Sequence, residues 1–175
     1  MDRNTMTIRL FGVVQDSIVD GYGFRTAIFT QGCPHRCEGC HNPQSHDAAG
    51  GELWLLEEVE KKYTNNPLLE GITFSGGEPF CQAEPCAELA RRAHAKGLTV
   101  WAYSGYTYEE LLKKAKEEPD TGALLAEIDV LVDGRFVLAE RSLELPYQGS
   151  RNQRVLDLQA TRKTGTLTLF AVPKW

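Results

Sequence analysis

The chain has 175 residues, 42% of them hydrophobic, and a formal net charge of -5. That length suits one domain with an ordinary core, and the acidic balance argues against non-specific nucleic-acid binding, which needs a basic face. No apolar run approaches the ~20 residues that span a membrane, and the polar start Met1-Asp2-Arg3-Asn4-Thr5 lacks the apolar segment of a secretory signal, so a cytoplasmic location is expected.

Thr7 to Val14 alternates well enough for a strand, and Phe24 to Thr30 reads as a second one, with the turn Asp20-Gly21-Tyr22-Gly23 between them. The run Cys33-Pro34-His35-Arg36-Cys37-Glu38-Gly39-Cys40 follows at once and is expected on a strand-to-helix loop. Leu53, Leu56, Val59 and Tyr63 recur at helical spacing until Asn65-Asn66-Pro67. Gly71 to Phe74 is a short strand feeding Ser75-Gly76-Gly77-Glu78-Pro79. Pro85 to Lys96 predicts a helix ending at Gly97. Leu98 to Tyr103 predicts a strand, and Thr107 with Glu110 three residues on has the signature of a capping box opening the next helix. Ile128 to Asp133 is another strand. Beyond it the pattern weakens: Phe136 to Pro146 reads as loop and short helix, and residues 155–158 and 167–170 as a terminal strand pair.

Repeated strand, loop and helix predict a parallel α/β architecture. A complete eight-stranded barrel takes ~250 residues, so the expectation is an open partial (β/α) barrel of about five or six mainly parallel strands. It would form a single domain over residues 1–175, with a core at about 5–135 and a C-terminal extension at about 136–175. In such folds the chemistry sits at the carboxyl ends of the strands. The cysteine loop, the 75–79 loop, Ser104-Gly105 and Asp133-Gly134 all fall at that edge.

The spacing C-x3-C-x2-C carries the chemistry. Three thiolates this close can hold three irons of a [4Fe-4S] cluster, leaving the fourth iron open to a ligand. Two other readings stand beside it. One is a zinc site drawing on Cys33, Cys37, Cys40 and His35 or His41, although no second ligand pair follows at the usual distance. The other is a redox dithiol at Cys37-Glu38-Gly39-Cys40.

A C-x3-C-x2-C run after an early strand, with a Gly-Gly-Glu loop some forty residues on, resembles the radical S-adenosylmethionine (SAM) superfamily. Within it the chain resembles the anaerobic ribonucleotide reductase activases nearly end to end. The matching segments are residues 20–25, 29–43, 100–106, 129–136 (Asp129-Val130-Leu131-Val132-Asp133-Gly134-Arg135-Phe136) and the tail Gly149-Ser150-Arg151-Asn152-Gln153-Arg154. The resemblance implies a [4Fe-4S] cluster on Cys33, Cys37 and Cys40. It also implies SAM on the open iron, cleaved by one electron to a 5′-deoxyadenosyl radical that generates a glycyl radical on the partner reductase. It places the SAM amino group on Gly76, Gly77 and Glu78, and the adenine near Gly39, Cys40 and His41. It gives Ser104 and Asp133 a contact with the ribose or carboxylate, against a bland reading of both as cap or turn residues. A flavodoxin is the family's usual electron donor. The alternatives are a small radical SAM enzyme resembling the 7-carboxy-7-deazaguanine synthases, or a non-catalytic zinc-binding module.

The remaining residues read more plainly. Cys86 falls on the apolar face of its helix and is expected in the core. Cys81 has no assigned role, His46 is a plain loop residue, and His94 a solvated one. Arg25, Arg135 and Arg154 are read as members of a buried charge network or as partner contacts.

Overall fold

The computed structural model describes residues 5–173; the ends of the expected single domain, residues 1–4 and 174–175, lie outside it. The described chain forms seven strands: β1 (Thr7–Ser17), β2 (Arg25–Thr30), β3 (Glu52–Leu55), β4 (Gly71–Gly76), β5 (Thr99–Tyr103), β6 (Val130–Asp133) and β7 (Arg154–Asp157). They make one open sheet in the order β3-β1-β2-β4-β5-β6-β7. The centre is parallel: β2 pairs with β4, β4 with β5 and β5 with β6. The flanks are antiparallel, with β1 against β2 and β3, and β7 against β6. The sheet is therefore larger than expected and only half of its pairings are parallel.

Five helices, α1 (Leu56–Lys62), α2 (Ala83–Ala95), α3 (Tyr108–Ala115), α4 (Pro119–Glu127) and α5 (Leu158–Thr164), accompany it. The period of two along each strand separates two cores. Ile28, Ile72, Phe74, Val100, Ala102, Leu131 and Leu156 point to the main core with Leu89, Ala90 and Leu124 of the helices. Trp101, Val130, Val132 and Val155 point the other way, to a smaller cluster with Tyr22, Tyr103, Tyr147 and Phe170. The central strands are buried on both faces, as parallel strands in α/β folds are.

Four elements depart from the sequence expectation. The stretch opening at Leu53 is not helix throughout: residues 52–55 pair with β1, and the helix begins only at Leu56. β3 is short and largely exposed, so its side chains carry little signal of their sheet position. The cysteine loop accordingly leads into one 3-10 turn and an edge strand, without a direct α-helix. α4 opens with Pro119 at its first turn. Of the terminal strand pair, residues 154–157 form β7, but Leu169 contributes an isolated bridge to Leu156, and Leu158 starts α5, capped by Asp157. The capping box at Thr107 and Glu110 is present with both of its hydrogen bonds.

Candidate functional site

The register of the parallel strands fixes where the loops emerge. Thr30 is level with Gly76, and Tyr103 with Val132, so the loops after β2, β4, β5 and β6 rise from one edge. One cavity at that edge is lined by Cys33, Cys37, Cys40, Gly76, Gly77, Ser104 and Gly134. Strand order alone thus brings together residues spread over a hundred positions.

The cysteine loop is held at its base. Gly32 N donates to Ser45 O at 2.6 Å and Cys33 N to His46 O at 3.1 Å. The Gln31 amide group donates to Gln44 O and Asp47 O at 2.9 and 2.7 Å, closing the loop on itself. Cys33, Cys37 and Cys40 are free and half-buried. Asn42 N donates to Cys40 Sγ at 3.4 Å. Burial pushes the Cys33 thiol up, while the backbone amides of His35 and Arg36 pull it back towards the thiolate.

This donor set fits a [4Fe-4S] cluster. Three soft sulfurs share a half-open cavity, and amides point at two of them, as they do around cluster thiolates. Among the described residues no three His, Cys, Asp or Glu side chains converge on one point as a single metal ion requires. A cubane makes no such demand, because each thiolate takes a separate iron corner. His35 is spoken for as well: its Nε2 lies 2.7 Å from Glu78 Oε1 and its Nδ1 faces Arg135 Nε at 3.3 Å, which leaves no nitrogen of His35 for the zinc reading.

Gly76 and Gly77 are needed by the protein itself. Gly76 has φ +93°, and a Cβ there would lie 2.6 Å from the backbone N and O of Thr30; one on Gly77 would lie 2.4 Å from Gly32 O. The glycines let the loop after β4 press against the root of the cysteine loop, where Gly77 N donates to Thr30 O and Glu78 N to Gly32 O, both at 2.8 Å.

Glu78 turns inward and is fully buried. Its carboxylate accepts from His35 Nε2 at 2.7 Å, Gly105 N at 2.8 Å and Phe80 N at 3.1 Å, with Ser104 Oγ 2.9 Å from both oxygens. Ser104, also buried, accepts from Tyr106 N at 3.0 Å. Asp133 accepts from Tyr108 N at 2.7 Å, at the start of α3, and from Arg154. In this structure both residues therefore make the cap and turn contacts of their bland reading. Gly39 lies under Leu138 and Phe136, and the His41 ring is 5.2 Å from that of Phe136; of these, Phe136 lines the cavity and Gly39 and His41 do not.

His35, which the zinc reading set beside the cysteines, lines the cavity, and so do four residues that the sequence had not placed there: His46, Tyr103, Phe136 and Gln153. His46, expected as a plain loop residue, lines the cavity with a buried Nε2 that makes no hydrogen bond within the described residues. Gln153 holds the tail turn by donating to Gly134 O and accepting from Gly149 N. His94 is not simply solvated, since its two ring nitrogens face Glu127 and Asp129 at 2.8 and 3.0 Å. Cys86 is fully buried in the core. A larger cavity of about 520 Å³ lies at the opposite ends of the strands, lined by Arg25, Glu70, Trp101 and Asp129. There the five Arg25 N–H groups all go to neutral protein acceptors.

Residues 19–156 match the 4Fe-4S single cluster domain family. The anaerobic ribonucleoside-triphosphate reductase-activating protein of Haemophilus influenzae is 31% identical over 146 residues, covering 78% of this chain and 89% of that one. The protein of the same name from Salmonella typhimurium is 33% identical over 150 residues, covering 81% and 94%. This chain belongs to the anaerobic ribonucleoside-triphosphate reductase-activating protein family. Its cofactors are a [4Fe-4S] cluster and S-adenosylmethionine, and it is an oxidoreductase of the glycyl-radical activase kind. The pyruvate formate-lyase-activating enzyme of Clostridium pasteurianum is 38% identical over 114 residues, 60% of this chain and 48% of that one. Among the described residues no helix is long and apolar enough to cross a membrane.

Proposed function

We propose that the chain generates a glycyl radical on an anaerobic ribonucleoside-triphosphate reductase, working in the cytoplasm as one domain of the radical SAM partial-barrel type. The observation that carries this reading is the meeting of Cys33, Cys37 and Cys40 with Gly76 and Gly77 at the carboxyl edge of the parallel strands.

Cys33, Cys37 and Cys40 would hold the [4Fe-4S] cluster by three of its irons, leaving one iron open for SAM. With both bound, the site would supply one-electron reductive cleavage of SAM and, from it, a radical able to take a hydrogen atom from glycine. The backbone carbonyls of Gly76 and Gly77 are the acceptors for the methionyl ammonium, since the Glu78 carboxylate is occupied by protein donors. Gly39, Cys40 and His41 border the adenine, and Ser104 and Asp133 shape the floor through Glu78 and α3. A low-potential donor such as a flavodoxin supplies the electron.

Anaerobic reconstitution with iron and sulfide followed by reduction tests this. About four irons per chain and an EPR signal that changes on adding SAM are expected. Mixing with the reductase is expected to give a doublet glycyl radical signal. SAM cleavage without that signal, alongside turnover of a pterin-like small molecule, would overturn the assignment of substrate.

A further inference from the structure

His35 stands between two cysteines that hold irons in the proposed function. Its neighbours Pro34, Arg36 and Glu38 are exposed, as befits a loop, yet its own side chain is only 4% exposed. Such burial on a loop needs partners, and His35 has three. Nε2 lies 2.7 Å from Glu78 Oε1, Nδ1 lies 3.3 Å from Arg135 Nε, and the ring stands edge-on to Tyr106 with centroids 4.5 Å apart. Arginine can only donate, so Nδ1 is the acceptor and Nε2 carries the proton towards the carboxylate; the partners assign the tautomer. Gly105 makes room for the ring, because a Cβ there would lie 2.4 Å from His35 Cδ2.

These contacts reach every loop on the edge. His35 belongs to the loop after β2, Glu78 to that after β4, Ser104 and Gly105 to that after β5, and Arg135 to that after β6. Glu78 is the hub and His35 is the spoke from the cysteine loop. His35 lines the cavity, but both ring nitrogens are held by protein partners, which removes it as an iron ligand and as a free acid or base for a substrate.

We propose that His35 is a positioning residue: its hydrogen bond to Glu78 fixes the cysteine loop against the Gly76–Gly77 loop and so sets the spacing between cluster and SAM. This rests on the proposed activase function. Electron transfer and hydrogen abstraction both depend on that spacing, and a misplacement of about 1 Å costs a reaction up to ~100-fold. Holding the loops together in advance removes that loss.

Three proteins test it: unaltered, H35F and H35Q. Phenylalanine keeps the ring beside Tyr106 and loses the donor; glutamine places an amide nitrogen near the position of Nε2. All three are expected to hold about four irons, since the cysteines are intact. The SAM concentration giving half of the EPR change is expected to rise about tenfold in H35F and to return within about threefold in H35Q. An unchanged SAM midpoint in H35F, or loss of iron from both variants alike, overturns the proposal. The proposal is read from the ratio of variant to unaltered protein, and the unaltered protein's own SAM response tests the functional reading separately.

Discussion

Arg154 grips Asp133 with two nitrogens, Nε to Oδ1 at 3.0 Å and Nη2 to Oδ2 at 2.5 Å, and so ties the tail to the end of β6. Asp133 is 1% exposed and its other donor is Tyr108 N. Arg154 also reaches Glu109 on α3, and hydrogen bonds to these two carboxylates hold its guanidinium above the ordinary arginine range. Removing the arginine strands a buried carboxylate, the costly half of breaking an ion pair. Because Arg154 is one-third exposed, water recovers part of the loss. Arg154→Ala is expected to cost about 2 kcal/mol and to lower the thermal midpoint by roughly 4–8 °C, with Arg154→Lys in between because lysine lacks the fork. Circular-dichroism melting reads this; a shift under about 1 °C would mean that Tyr108 N and water suffice.

Gly76 gives a second stability test. Its φ of +93° disfavours any side chain, and the backbone of Thr30 stands where a Cβ would go. Backbone inside a paired strand cannot move aside cheaply. Gly76→Ala is expected to cost about 3 kcal/mol and to lower iron uptake, because the strain falls on Thr30, three residues before Cys33. Gly97→Ala shares a positive φ but meets open space, so it should cost less and leave iron uptake unchanged. Equal effects of the two substitutions on iron content would sink the argument.

The site was more legible in the sequence than the sheet. Cys33, Cys37, Cys40 and the Gly-Gly-Glu loop stand out because their spacing is set by chemistry, and Thr107 with Glu110 because a capping box is local. β3 escaped because Leu53 continues the helical rhythm of Leu56, Val59 and Tyr63, and only pairing with β1 makes residues 52–55 a strand. The inward turn of Glu78 was illegible for another reason. Its four donors come from His35, Phe80, Ser104 and Gly105, which no single window of sequence contains. The close packing of Gly76 and Gly77 against Thr30 and Gly32 was illegible in the same way, because those neighbours lie more than forty residues away in the chain.

His94 predicts a pH dependence. Burial lowers its pKa, but hydrogen bonds to Asp129 and Glu127 and their charges outweigh burial and raise it. Arg91 also approaches Glu127, at 3.9 Å. A histidine raised in the folded state contributes fully below its unfolded value, ~6.5, and loses that contribution as pH rises through the folded value. The stability gap between the unaltered protein and His94→Gln is therefore expected to be on the order of 1 kcal/mol or less near pH 6 and to shrink towards pH 9. Urea unfolding at the two values measures it, and a gap that widened with pH would mean that burial outweighs the two carboxylates.

The five cysteines should divide cleanly in iron binding. Cys81 lies near the cluster loop and lines a cavity with Cys33, so proximity alone would make it a ligand. Burial, reinforced by the negative charge of Glu78, pushes its thiol up to about 11, so at neutral pH it carries its proton. Cys33 is raised by burial too, but amides of His35 and Arg36 face its sulfur and stabilise the thiolate that a metal needs. Cys86 is sealed in the core among Leu89 and Ala90. Substituting Cys33, Cys37 or Cys40 by alanine is expected to abolish the four-iron cluster. Cys81→Ala should keep about four irons per chain, as should Cys86→Ala at a stability cost of about 1 kcal/mol for the cavity. Iron and sulfide analysis with the EPR signal distinguishes the two groups. A Cys81→Ala protein with lowered iron, or a Cys37→Ala protein that still responds to SAM, would require a different ligand set.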